Sequence, residues 1–386
     1  MKTSFTITAV LTTMSPLHIT EPGDARVDLT GRDVKGDAGF PCPRTTKMWL
    51  SHQPALTSIA LEGEEGGAVV GGSSPVPCIP ANSLRGQLRR QAARAIMDAI
   101  VARGEQLSIS AYNVLQCGAA TGAPDGTGPT VAEAVEADAH PYFGLFGGGP
   151  RLIRSNLRVD TALAVTPISL PYLRPEFANA VNPRQLLSVG WRRRNDDAMM
   201  LVDVDAQAKI IASYQATLND YQDGAAASKA AKAKAKEDGD QAQAPDTAPR
   251  GLMAFNALEY VVPGTHFAVR LDLDGTPEQA GLLLAALLGF VQANRLGGEG
   301  RRGFGRFCLQ SVVITENGEP HPPVGRVSED TNAWEGRAAE LVQAWEKAKQ
   351  GLSAGDLERI ARPGDKSAPA KKAPKPKGAT AVEAAS

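Results

Sequence analysis

The 386 residues carry 41 Lys+Arg against 42 Asp+Glu, a formal net charge of -1. Such a length can bury a sizeable core, and the balanced charge excludes a global cationic field, so a polyanion must be held by local basic patches. No apolar run reaches membrane-spanning length and the N-terminal stretch lacks a long apolar h-region, so a soluble chain with no membrane partner is expected.

Phe5, Ile7, Ala9 and Leu11 alternate with Ser4, Thr6, Thr8 and Val10. The pattern predicts a strand with one buried face and one mostly polar face, ended at Pro16. Residues 20–77, rich in Gly, Pro and charge, predict a loop-rich excursion in which Asp24, Asp28, Asp33 and Asp37 are turn formers rather than metal ligands. Cys42, His52 and Cys78 are expected to pack rather than to hold zinc, and the four cysteines, Cys117 and Cys308 included, form no CxxC pair.

Residues Ile79 to Ile96 predict a helix capped by Asn82 or Ser83, with Leu84, Leu88, Ala92, Ala95 and Ala99 as its apolar stripe and Gly104 as its stop. Beside that stripe Arg85 and Arg89, and Arg90 and Arg94, recur at i, i+4. Like charges so spaced repel, which points to an anionic partner. His140 to Gly149 alternates aromatics with glycines, either as anchors for a neighbour or as a turn whose rings fill the core.

Leu157 to Leu170 reads as strand. Trp191 beside Arg192, Arg193 and Arg194 has the composition of a hairpin tip that grips a nucleic-acid backbone. Asp205 to Tyr221 reads as helix, and residues 224–250 hold too few bulky side chains to offset the entropy of ordering, so disorder is expected there. Phe267, Val269, Leu271 and Leu273 predict a strand. Thr276 to Gln279 (TPEQ) is a capping box with Pro at the first helical position, and Leu284, Leu287, Leu288 and Val291 give the helix that follows. An amphipathic helix around Trp334 to Leu352 precedes a mobile tail.

The densest motif is Asn294 to Phe307, NRLGGEGRRGFGRF. Gly297, Gly298, Gly300, Gly303 and Gly305 free the backbone for close approach, while Arg295, Arg301, Arg302 and Arg306 surround it with guanidinium forks. Successive N–H groups form an anion nest and Phe304 or Phe307 offers a base a stacking face, so a phosphate chain is the expected guest. Residues Gly298 to Gly303 also match the dinucleotide fingerprint GxGxxG letter for letter. That fingerprint needs a strand entering and a helix leaving. Here a helix enters and a strand, Phe304 to Thr315, leaves, so neither a nicotinamide nor a flavin cofactor is expected. The order of elements suits an α+β fold, a ferredoxin-like (RRM-like) antiparallel sheet core with large insertions.

Three segments, Ser15 to Ile19 (SPLHI), Ile79 to Gly86 (IPANSLRG) and Gly297 to Gly305 (GGEGRRGFG), resemble the RAMP superfamily of CRISPR-associated proteins. More narrowly they resemble its backbone subunits, which polymerise along a guide RNA, and Phe143 to Gly147 (FGLFG) with the chain length is similar to the type IV form. The resemblance implies a single RAMP-type domain over 1–361, with insertions at 20–78 and 160–250, and a disordered tail at 362–386. It implies that Trp191 to Asp197 corresponds to the thumb hairpin, with Trp191, Arg192, Arg193 and Arg194 on the guide. Arg85, Arg89, Arg90, Arg295, Gly297, Gly298, Gly300, Arg301, Arg302, Gly303 and Phe304 are assigned to the guide backbone.

The implied partners are guide RNA, target DNA or RNA through base pairing, copies of the chain itself, a large subunit, a cap subunit, a guide-processing nuclease and a helicase, all in the cytoplasm. Type III relatives cleave target RNA with an aspartate in the excursion after the first strand, and no motif here selects one. No catalytic residue, metal or cofactor is therefore assigned. The alternative is a ribonuclease on the same fold, acting through a loop aspartate or through His18 or His52.

Overall fold

The computed structural model describes residues 2–23, 25–35, 39–51, 72–118, 128–182, 185–194 and 254–361. The strands in chain order are β1 (Thr3–Thr13), β2 (Arg26–Val27), β3 (Phe40–Pro41), β4 (Lys47–Ser51), β5 (Ser73–Ile79), β6 (Leu157–Val159), β7 (Ala162–Ala164), β8 (Leu187–Arg194), β9 (Ala254–Val261), β10 (His266–Gly275), β11 (Phe307–Glu316) and β12 (Glu319–Pro320). The α-helices are α1 (Ala81–Ala102), α2 (Ile109–Cys117), α3 (Val131–Ala139), α4 (Pro141–Phe146), α5 (Pro277–Ala293), α6 (Gly336–Lys349) and α7 (Ala354–Ala361).

β1 is the axis of an eight-stranded sheet in the order β12-β11-β1-β10-β7-β5-β4, with β6 also paired to β10. Its alternating Phe5, Ile7, Ala9 and Leu11 enter the main core. The other face is less polar than its sequence predicts: Val10 is buried against Val165, Phe177 and Ala268 in a second, smaller cluster. Thr6 and Thr12 on that face donate to or pair with the cross-strand partners Asp272 and His266 at 2.8 and 2.9 Å. The register of β1 on β11 slips between Thr8 and Val10, where Ser311 takes φ 51°, the mark of a β-bulge.

Stripped of insertions, the chain runs β1, α1, β6/β7, β10, α5, β11, and the inner sheet order is fourth, first, third, second, all antiparallel. This is the ferredoxin-like arrangement expected from the order of elements. The predicted strand over 157–170 is two short strands followed by a 3-10 turn at Leu170–Tyr172. The 20–78 excursion is less loop-like than predicted, because β4 and β5 pair along their length and extend the sheet.

α5 starts at the expected capping box, with the Gln279 backbone N–H donating to Thr276 Oγ1 and the Thr276 N–H to Gln279 Oε1. It is buried almost all round because α1 and α6 both pack on it. The fit to α6 is close: a Cβ on Gly281 would stand 2.1 Å from the Leu341 carbonyl oxygen. α6 matches the predicted final helix, and α7 follows it.

α1 begins at Ala81, before the caps predicted at Asn82 or Ser83. Pro80 is its N-cap and makes no side-chain cap bond, so neither Asn82 nor Ser83 is used for capping. Its stripe also turns after Ala92, burying Ala93, Ile96 and Ile100 in place of Ala95 and Ala99. The aromatic stretch resolves in favour of core filling: Tyr142, Phe143 and Phe146 of α4 are buried, with Tyr142 and Phe143 edge to face at 5.4 Å.

The helix predicted at 205–221, the segment 224–250, the tail 362–386, and Asp24, Asp37 and His52 lie outside the described residues. No described helix is long and apolar enough to cross a membrane.

Candidate nucleic-acid interface

The glycine-rich stretch leaves α5 through Asn294, which takes φ 47° as the left-handed C-cap and accepts the Phe307 N–H on its side-chain oxygen at 2.7 Å. This bond closes the loop at its base. The loop then lies on the segment that follows β1. Gly298 donates its N–H to the His18 carbonyl at 2.8 Å, Gly305 donates to the Pro16 carbonyl at 2.8 Å, and Met14 donates to the Arg306 carbonyl at 2.7 Å. Gly297 and Gly305 have φ of +76° and +81°, and a Cβ at either would meet a carbonyl oxygen, that of His18 at 2.3 Å or of Leu296 at 2.0 Å. Glycine is thus required twice over at these two positions, by conformation and by space.

One expectation needs correcting. The N–H groups of Gly298 and Gly305 point into the protein rather than into an anion nest, because they latch the loop to Pro16 and His18. What faces outward is side-chain charge. Arg295, Arg301 and Arg302 are exposed. Arg302 pairs with Glu299 at 3.2 Å, and Arg301 has no ion-pair partner among the described residues. Arg306 is held by Glu329. Phe304 is half-buried and meets Tyr260 edge to face at 5.9 Å, so it packs rather than presenting an open stacking face.

The start of α1 forms the opposite wall. A cleft of about 330 Å³ lies between the two, lined by Ile19, Asn82, Ser83, Gly86, Gln87, Arg90, Leu296 and Gly297. All three sequence segments singled out above therefore meet: Ile19 of SPLHI beneath the loop, Asn82, Ser83 and Gly86 of ANSLRG along one wall, and Leu296 with Gly297 at the head of the glycine loop along the other.

Sequence reasoning missed Asn82, Ser83, Gly86 and Gln87 as cleft residues, having read the first two as caps. The available signal was their place on the polar flank of α1, opposite Leu84 and Leu88.

The arginines of α1 divide. Arg90 is exposed at the cleft. Arg85 and Arg89 are turned inward, contrary to their assignment to a backbone. Arg85 donates to the carbonyls of Phe146 at 2.7 Å and Leu157 at 3.3 Å, and burial, then the neighbouring Arg89 charge, depress its pKa. Arg89 donates to the Cys117 carbonyl at 3.0 Å and lies over the Phe146 ring at 5.9 Å. Their i, i+4 repulsion is offset by carbonyl dipoles of this chain, so the repetition of charge marks a structural clamp as well as a ligand face.

Trp191 sits on β8, not at a hairpin tip. β8 and β9 pair over their whole lengths, from Leu187 with Val261 to Arg194 with Ala254. Trp191 is 37% exposed and meets Phe40 edge to face at 5.5 Å. The backbones of Arg192, Arg193 and Arg194 continue the ribbon, while their side chains and residues 195–197 lie outside the described part.

The foot of this ribbon is tied to the same segment that seats the glycine loop. The buried His18 ring donates from Nδ1 to the Glu259 carbonyl at 2.7 Å and meets Thr20 Oγ1 through Nε2 at 3.1 Å. The Glu259 carboxylate is itself buried and takes Lys47 Nζ at 2.7 Å, Arg44 at 3.0 Å and the Thr45 N–H at 3.0 Å. Both His18 nitrogens are thereby engaged. Asp28 spends its carboxylate on its own turn, accepting from the Thr30 hydroxyl at 2.6 Å and from the Arg32 and Thr30 N–H groups, and these bonds, the hydroxyl's first, lower its pKa. Asp33 pairs with Arg44. Among the described residues no group of three or more His, Cys, Asp or Glu side chains is arranged to hold a metal ion.

No curated protein sequence matches the chain. Among solved structures, a chain of a Type IV-B CRISPR complex is similar at 16% identity and a TM-score of 0.40, over 81% of this chain and 90% of that one. A family model described as the RAMP superfamily matches residues 10–308, from the second half of β1 through the glycine loop to the start of β11. Well over half of the sequence, including every wall of the cleft, falls within that match, and the chain belongs to the RAMP superfamily.

Proposed function

We propose that the protein is a guide-RNA-holding backbone subunit of a CRISPR RNA-guided complex, of the type IV form, several copies of which lie side by side along one guide. The observation that carries this reading is the convergence of SPLHI, ANSLRG and the glycine loop on a single cleft, with Arg90 at its wall and Arg301 and Arg302 exposed on the loop beside it. Guanidinium groups hold phosphates without reading bases, so such a site takes any guide sequence and leaves base edges free to pair with target DNA or RNA. The β8–β9 ribbon, with Trp191 on its face, is the root of the thumb that folds over the guide. The large subunit, cap subunit, guide-processing nuclease and helicase are its partners in the cytoplasm.

In this reading the chain is not an enzyme. The nearest acid–base candidate for a ribonuclease, His18, has both ring nitrogens committed to holding Glu259 and Thr20. The test is purification of the chain co-expressed with its genomic neighbours, followed by sequencing of the nucleic acid retained. One discrete small RNA shared by several copies is the expected result. A nucleic-acid-free monomer overturns the reading.

A further inference from the structure

We propose that the cleft beside the glycine loop is a seat for one ribose-phosphate unit that distinguishes RNA from DNA through the 2′-hydroxyl; the inference rests on the guide-RNA reading above. The side chains of Asn82, Ser83 and Gln87 line the cleft, and none makes a hydrogen bond among the described residues. Each offers a donor and an acceptor, the complement of a hydroxyl that itself donates and accepts. Arg90, on the same wall and without an ion pair among the described residues, supplies a fork for the adjoining phosphate.

A base is not accommodated in the same way. The lining contains no aromatic ring, only the aliphatic Ile19 and Leu296, and stacking needs a π face. The volume of about 330 Å³ sits near the bottom of the range for small-ligand clefts, room for one such unit rather than several.

Gly86 gives an independent indication. It stands in the second turn of α1, where glycine weakens a helix relative to almost any other residue. Nothing in the fold demands it there. A Cβ at Gly86 would meet only the flexible end of Arg90, at an ordinary 3.6 Å. The glycine therefore keeps space open on the cleft side, where ligand backbone approaches.

The experiment uses the full chain and one single-stranded sequence made as RNA, as DNA and as 2′-O-methyl RNA, with affinities measured at fixed salt. The wild-type chain should favour RNA over both analogues. The double variant Ser83→Ala/Gln87→Ala should lose about tenfold in RNA affinity, as expected for two hydrogen bonds, while DNA affinity stays unchanged. Gly86→Leu should weaken RNA binding with a melting temperature no lower than wild type, since leucine is the better helix former.

Equal binding of RNA and DNA by the wild-type chain, or a preference that survives the double variant, overturns the inference and leaves the guide-holding reading standing. Retention of neither nucleic acid removes that reading and the inference together.

Discussion

The carbonyl oxygen of His18 occupies the place beside Gly297 where any other residue would carry its Cβ: the two would stand 2.3 Å apart. The same oxygen accepts the Gly298 N–H, and the His18 ring donates to Glu259 of β9. One buried histidine thus joins the glycine loop to the root of the β8–β9 ribbon. Gly297→Ala should cost about 1–3 kcal/mol, through the left-handed φ and the collision together. Gly300→Ala, where a Cβ meets nothing within 4 Å, should be nearly neutral. Denaturant midpoints of the two variants check the contrast, and equal values would show that the loop is not latched as described.

The arginines separate by what their donors already do. Arg85→Ala removes the donor to the Phe146 carbonyl and the longer of two side-chain bonds to the Leu157 carbonyl, which keeps Ser155 Oγ, and should destabilise the fold by about 2 kcal/mol. Arg301→Ala/Arg302→Ala should leave the melting temperature unchanged, weaken RNA retention and lower the slope of log K against log salt by about 1.4, two phosphate contacts on a single strand. A stability loss in the double variant, or an unchanged slope, would count against that division.

Glu259 is a buried carboxylate surrounded by Arg44, Lys47 and the Thr45 N–H. Glu259→Gln leaves the largely buried Lys47 without its counter-charge and Arg44 with only the exposed Asp33, and breaking a buried pair from one side typically costs about 3 kcal/mol or more. The local signature should be faster hydrogen exchange in β9 and in residues 14–20 before any change in α6. Uniform exchange across the molecule would refute the local tie.

His140 makes stability depend on pH. Its Nδ1 accepts the N–H groups of Tyr142 and Phe143 at the N-terminus of α4, and burial pushes its pKa from 6.5 down to about 4. Above pH 6.5 the ring is neutral folded and unfolded, and costs nothing. As pH falls from 6.5 towards 4 the unfolded chain binds a proton that the folded chain resists, so stability is lost, by about 3 kcal/mol at the lower end. His140→Asn keeps an N-cap acceptor but does not titrate. It should therefore lose less stability than the wild type over that window, the remaining loss coming from other groups with depressed pKa values such as His266, as followed by thermal melts from pH 7 to 4.

Local regularities were legible in the sequence because they depend on neighbours along the chain. The period-2 pattern of Phe5 to Leu11, the capping box at Thr276 and Gln279, and the helix-then-strand order around the glycine loop all appear as expected, and together they gave the ferredoxin-like class. Composition also marked the loop itself, since few other uses explain five glycines and four arginines within fourteen residues. The β4–β5 extension was not legible, because its pairing joins strands separated by a long insertion.

Which arginine faces where was decided only by tertiary structure. Arg85, Arg89 and Arg90 are alike in sequence, yet the turn of α1 aims the first two at carbonyls of α2, α4 and β6 and leaves Arg90 at the cleft. Asn82 and Ser83 carry the chemistry of caps, but Pro80 starts the helix before them and frees both side chains. The sequence by itself determined the elements and the chemistry of the motifs, which are properties of adjacent residues. Only the packing of β1, α1 and α5 decided that SPLHI, ANSLRG and the glycine loop share one cleft, because contacts between segments some 280 positions apart follow from sheet order and helix crossover rather than from any local pattern.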